Sequence, residues 1–293
     1  MGNFGDAERH ILELMHVGAK FIYQDDEYTI TRSGKPTCYK GEPKTDIYVW
    51  AESGDFFMEI KISYKKENAD FIENKMNAER AEQLFGPDWA IIIEESTTAI
   101  RERFDERMLI YKNQFRRTEK GAITLGWKFE LMNKPSGDLS GQMLLEFEQV
   151  VDVYAGKNLS EDKKNAMVNG EIIKDSGVAN TILIEDCLTR AQDVIDNMIP
   201  IEEYVRRHPE IYFACKALNY RSFAKKWDGN RPLSVQVDWN INDGKLSPHL
   251  IFDRPLLVGG NEVAGRLLEY MKQLNIRNTD DITDDNVDTD KIV

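Results

Sequence analysis

Apolar residues recur at helical spacing from Asp6 to about His16, where Ala7, Ile11, Leu14 and Met15 form one stripe with Leu12 at its edge. Asp6 is placed to cap this first helix. Lys20 to Thr31 reads as strand, carried by Phe21, Tyr23, Tyr28 and Ile30, and Arg32 to Pro36 reads as loop. Ile47 to Trp50 and Phe56 to Ile62 are two further strand-like runs, separated by the turn residues Glu52-Ser53-Gly54-Asp55. A turn centred on Ser53-Gly54 sets Asp46 opposite Lys61 and Tyr48 opposite Glu59. Because side chains alternate along a strand, Ile47, Val49, Met58, Ile60 and Ile62 share an apolar face. Asp46, Tyr48, Trp50, Phe57, Glu59 and Lys61 share the other. A slip of one residue would drive the charged groups into the core, so the register is expected to be strongly specified. A helix is predicted over Ala69–Phe85, stopped by Gly86-Pro87, and a short buried strand over Trp89–Ile93. The order is helix, strand, hairpin, helix, strand.

Beyond this point Ser96 is expected to cap another helix, and a hairpin is expected over Ala122–Leu131. Asn133 to Asp138 is rich in turn residues and is the best boundary in the chain. It divides residues 1–134 from a C-terminal α+β region, 138–277. That region reads as a helix over Leu139–Tyr154, a short helix after Ser160, a strand over Ala179–Ile184 and a helix over Leu188–Met198. A strand over Ser234–Asn240, a turn at Asn242-Asp243-Gly244, a strand over Leu250–Leu257 and a helix from Asn261 follow. From Asn278 onward the chain is dominated by aspartates, so 278–293 is expected to be a solvated, disordered acidic tail.

Composition narrows the class. The 293 residues are 41% hydrophobic and 30% charged, enough apolar material for a real core. No apolar run approaches the ~18 residues of a membrane span, so no membrane partner is expected. The start lacks the charged-then-apolar order of a signal peptide, and the three cysteines are far apart and odd in number; both favour a reducing cytoplasm. The net charge of −13 opposes a uniformly nucleic-acid-binding surface. It is unevenly spread, however. Lysine and arginine outnumber acids from Arg101 to Lys134. They do so again from Arg206 to Arg231, where Tyr212, Phe213, Tyr220, Phe223 and Trp227 are interleaved with them.

The hairpin carries the candidate chemistry. Two carboxylates, Asp46 and Glu59, can hold Mg²⁺ together with water and phosphate oxygens, with the Ile60 carbonyl as a further ligand. Lys61 can orient water or stabilise developing negative charge. Pro43-x-x-Asp46 followed by Glu59-Ile60-Lys61 resembles the PD-(D/E)xK nuclease superfamily, and the lead-in Gly41-Glu-Pro-Lys-Thr-Asp46 is similar to that of type II restriction endonucleases. The proline stands three residues before the aspartate rather than beside it. The resemblance covers about residues 5–95. It implies a mixed α/β sheet of restriction-endonuclease-like αβββαβ type and Mg²⁺-dependent hydrolysis of double-stranded DNA by a homodimer. It also implies an outer metal ligand on the first helix, at Glu8; the same residue equally suits the positive end of that helix. Lys44, Lys65, Lys66, Lys75, Arg116 and Arg117 are the candidate DNA contacts. The rivals are a structure-specific repair, recombination or phage nuclease of the same fold, and a non-catalytic DNA-binding module whose hairpin charges are simply solvated.

Overall fold

The computed structural model describes residues 4–39, 41–66, 71–184 and 187–293. The chain forms two units that alternate along the sequence. The first comprises residues 1–69, 83–86 and 145–209; the second comprises 70–82, 87–144 and 210–293. The division therefore does not follow the expected boundary at 134–138. The chain leaves the first unit three times and returns to it twice.

In the first unit, α1 (Phe4–Leu14) leads into β1 (Lys20–Tyr23) and β2 (Asp26–Gly34). The single strand expected over Lys20–Thr31 is a hairpin, because Gln24 and Asp25 both adopt positive φ, 51° and 71°. That is the paired left-handed turn a two-residue hairpin favours. Gln-Asp is an uncommon choice there, which is why the turn does not show in the residue pattern. β2 pairs with β3 (Ile47–Ser53), and β3 with β4 (Phe56–Tyr64), all antiparallel. A short strand, Thr181–Leu183, lies parallel to β4, and Ile199–Pro200 pairs antiparallel beyond it. The sheet order is thus β1, β2, β3, β4, Thr181–Leu183, Ile199–Pro200.

One face of this sheet is the core. Ile47, Val49, Ile60 and Ile62 are buried there with Ile11 and Met15, whose apolar stripe continues that of α1, and with Val194 of the Ala191–Asn197 helix. The helix Phe147–Ala155 begins with a reciprocal Glu146–Gln149 capping box and ends at Gly156, whose φ is 80°. It packs with the Ile201–Arg207 helix, the rings of Tyr154 and Tyr204 meeting edge-on at 5.3 Å.

The expected strand Trp89–Ile93 is instead the start of a helix, Trp89–Thr98. A five-residue apolar run does not distinguish strand from helix. Ser96, expected to cap the following helix, lies inside this one, where its hydroxyl and that of Thr97 bond back to the carbonyls of Ile92 and Ile93; the following helix, Arg101–Asp105, starts from Ile100. The expected helix 69–85 resolves into a strand, Phe71–Glu73, and a helix, Ala78–Phe85; Ala69 and Asp70 lie outside the described residues. The expected helix Leu139–Tyr154 is a strand, Ser140–Gln142, followed by the Phe147–Ala155 helix.

The second unit is built on an antiparallel sheet in the order Lys226–Trp227, Tyr212–Arg221, Ala122–Met132, Val235–Asn242, Lys245–Ile251. The hairpin expected over Ala122–Leu131 is one long strand. Gly126 does not turn the chain; a side chain there would meet the Val235 carbonyl at 2.5 Å, so glycine permits close strand approach. The expected strand Leu250–Leu257 lies earlier, at Lys245–Ile251, and the Gly260–Gln273 helix follows as expected. The acidic C-terminal stretch is bound rather than free. Leu109 N–H donates to Lys291 O, Lys112 N–H to Val293 O and Leu246 N–H to Asn286 O, while Ile282 and Val287 are buried.

Candidate functional site

The hairpin register decides which charged groups meet. The turn falls on Gly54-Asp55, not Ser53-Gly54, so Ser53 pairs with Phe56, Trp50 with Glu59 and Tyr48 with Lys61. Gly54 has φ 57° and Asp55 is not in the left-handed region, which fits the hairpin turn that takes glycine first. The shift is two residues, an even number, so every side chain keeps its expected face. Its position along the strand changes. The Asp46 N–H donates to Ile62 O just before β3 begins, which levels Asp46 with Ser63. Glu59 is four residues away along β4, about 13 Å at ~3.3 Å per residue. The expected cluster of Asp46, Glu59, Lys61 and the Ile60 carbonyl does not form around one point.

Asp46 has other company. One carboxylate oxygen, Oδ2, accepts the Tyr64 N–H at 2.8 Å, and among the described residues Oδ1 accepts no hydrogen bond. Burial pushes its carboxyl up to about 6; the positive charge of Lys65, the Tyr64 N–H and Lys35 oppose this, and the negative charge of Glu8 adds to it. Glu8, on α1, is largely buried and pairs with Lys35 at 2.5 Å. That hydrogen bond is the main reason the Lys35 ammonium holds its proton more tightly than usual. Lys65 follows the end of β4, and its backbone N–H donates to Leu183 O at 2.9 Å. Two carboxylates and two ammonium groups, Glu8, Asp46, Lys35 and Lys65, therefore share one field at the Tyr64 end of the β3–β4 pair. Sequence reasoning selected Glu8 and Asp46, named Lys65 only as a phosphate contact, and missed Lys35, which sits in a loop without a periodic signal.

Glu59 and Lys61 form a separate group. The Tyr48 hydroxyl donates to Glu59 Oε1 at 2.9 Å, and Lys61 Nζ lies 3.4 Å from Oε2. Burial, reinforced by Glu59, holds the Tyr48 proton well above the usual phenol range. The Asn180 side chain ties the strand down from the edge: Oδ1 accepts the Lys61 N–H at 2.8 Å, and Nδ2 donates to Glu59 O at 2.9 Å.

Among the described residues no cluster of three or more histidine, cysteine or acidic side chains is arranged to hold a metal ion. A pair of carboxylates still suits Mg²⁺, which keeps several waters and takes further oxygens from a phosphate. Glu8 and Asp46 fit that pattern, since a cation would offset the cost of ionising Asp46 in its buried setting.

The candidate DNA contacts divide between the two units. Lys44 is buried, its side chain packed where a Cβ on Gly156 would stand, so it is withdrawn from any surface role. Lys65 and Lys66 are half-buried in the first unit, and Lys75 is exposed in the second. Arg116 is engaged by Asp138 at 3.3 Å, beside Arg107 at 3.0 Å, and Arg117 is exposed. Of the interleaved aromatics, Phe213 and Tyr220 are core, while Lys216 and Arg221 pair with Glu130, Glu119 and Asp228. No protein-family profile, curated protein or solved structure matches the chain.

Proposed function

We propose that the protein is a Mg²⁺-dependent endodeoxyribonuclease whose active site lies around Asp46, with Glu8 as its second carboxylate and Lys65 as its amine. The observation that carries this reading is the convergence of Glu8, Asp46, Lys35 and Lys65 at one end of the β3–β4 pair. The fold order supports it. In the first unit α1 is followed by the antiparallel meander β1–β4 and the Phe147–Ala155 helix; a short helix (Glu161–Lys164) and a two-stranded hairpin (Met167–Val168, Glu171–Ile172) then precede the strand parallel to β4, with second-unit residues inserted between. This mixed α/β order is compatible with the αβββαβ order that the resemblance implies, and carries additional elements.

Glu8 and Asp46 are the residues that would hold the ion. Mg²⁺, when bound, polarises the phosphodiester and favours hydroxide over water at the attacking position. Lys65 orients the attacking water and offsets negative charge that develops on the phosphate oxygens. Lys35 fixes the Glu8 carboxylate as a positioning residue, through its 2.5 Å ion pair. Glu59 and Lys61 take no part in the bond cleavage on this reading. The finer form of the proposal is a type II restriction enzyme, cytoplasmic and homodimeric, cutting double-stranded DNA at fixed sites.

Incubation of supercoiled plasmid with the purified protein and Mg²⁺ tests the reading. Nicked or linear DNA is expected from the wild type and none from Asp46→Ala. Discrete fragments with 5′-phosphate ends support the restriction form, whereas cutting confined to branched or damaged DNA selects a structure-specific nuclease. Absence of cleavage by the wild type on any of these substrates overturns the proposal.

A further inference from the structure

Lys61, displaced from the Asp46 cluster, faces a cavity of about 570 Å³ within the first unit. Its side chain is only 11% exposed, yet among the described residues its ammonium has a single carboxylate contact, at 3.4 Å. The other oxygen of that carboxylate is already used by the Tyr48 hydroxyl. An ammonium carries three N–H donors, so a single carboxylate contact leaves donors to offer toward the cavity. Asn180 Oδ1 accepts the Lys61 backbone N–H and its Nδ2 donates to Glu59 O, and neither is bonded to the ammonium.

The rest of the lining gives the shape of what would fit. Val178 and Pro200 present apolar wall, backed by the buried Val151, Ala155 and Ile201, and Lys157 and Arg206 add two more cations. Those two are held by long, solvent-exposed pairs: Lys157 to Glu148 and Asp152 at 3.6 and 3.8 Å, Arg206 to Glu202 at 3.4 Å. Such pairs contribute little and exchange readily for a ligand anion. Glu202 and Glu203 also line the cavity, which disfavours a polyanion. The volume suits a small molecule and excludes a duplex.

We infer that this cavity is a binding site for a small organic anion, its single phosphate or carboxylate head on Lys61 and its apolar body against Val178 and Pro200. The site is independent of the Asp46 cluster, so it stands or falls separately from the nuclease reading.

Calorimetric titration and thermal melting of the full chain, without Mg²⁺ or DNA, test the inference. The probes are phenyl phosphate and phenylacetate, with inorganic phosphate as head alone and benzyl alcohol as body alone. At least one aromatic anion is expected to bind saturably and raise the melting temperature, on the order of ten-fold more tightly than either fragment, as one added charge–hydrogen-bond contact would give. The better of the two identifies the head group. Lys61→Met should weaken it by a similar factor, and Lys61→Arg should retain part of the affinity. If Lys61→Met does not unfold cooperatively, the surface pair Lys157→Gln/Arg206→Gln replaces it and should weaken binding several-fold. Failure of both aromatic anions to bind at millimolar concentration, or undiminished binding by the folded variants, overturns the inference.

Discussion

Asp46 keeps its proton to about pH 6 in the folded protein because burial outweighs Lys65, Tyr64 N–H and Lys35. The unfolded chain gives that proton up near 3.8, the ordinary value. A carboxyl whose folded pKa is raised favours the native state below the unfolded value, and that advantage is lost as pH rises toward the folded value. The resulting penalty above pH 6 is on the order of 1–3 kcal/mol. Asp46→Asn cannot ionise, so it should raise the urea midpoint of the first unit at pH 7.5 and change it little at pH 4. Equal effects at both pH values would show that Asp46 ionises as freely folded as unfolded. Asp46 and Glu8 were legible in the sequence as a strand-start acid and an acid on the inward side of an amphipathic helix. Lys35 and the partnership of Lys65 with Asp46 were not, because they depend on where strands end, which residue patterns define least well.

At the level of elements, the hairpin shows what alternation can and cannot define. Period-two patterning identified the buried face, with Ile47, Val49, Ile60 and Ile62 inside. It could not distinguish registers that differ by two residues, since both bury the same side chains. The choice belongs to the turn, and therefore to Gly54. A side chain there meets nothing within 4 Å, so the cost of Gly54→Ala is backbone conformation alone. We expect a loss of about 1 kcal/mol in urea denaturation. An unchanged midpoint would mean that the turn tolerates an ordinary residue. The apolar run at Trp89–Ile93 misleads for a related reason: five consecutive apolar residues carry no period, and only the helix-compatible residues after them extend the element to Thr98. The amphipathic helices Phe4–Leu14 and Gly260–Gln273 were legible because their stripes run over several turns.

At the level of the whole molecule, the chain crosses between its two units repeatedly, and no local signal marks the crossings. The loop at 133–138 has every residue of a linker, yet it joins two strands of the same unit, Ala122–Met132 and Ser140–Gln142. The C-terminal aspartates suggested a solvated tail. Their charged side chains do face outward, but Ile282, Val287 and the backbone of residues 286–293 are built into the second unit. Deleting residues 284–293 should therefore lower the melting temperature of that unit by on the order of 5 °C in calorimetry. A melting curve identical to that of the full chain would show the segment to be dispensable.

On the proposed reading, Asp46 with Lys65, rather than the Glu59-Ile60-Lys61 triplet, is the reacting centre. Plasmid cleavage in Mg²⁺, measured side by side for the wild type, Lys65→Met and Lys61→Met, tests it most directly, with calorimetric Ca²⁺ titration of Asp46→Ala as a readout that needs no turnover. Cleavage is expected to fall by at least 10²-fold in Lys65→Met, as for removal of a transition-state charge partner, to be largely kept in Lys61→Met, and Ca²⁺ binding to be lost in Asp46→Ala. Cleavage abolished by Lys61→Met but kept by Lys65→Met would contradict it.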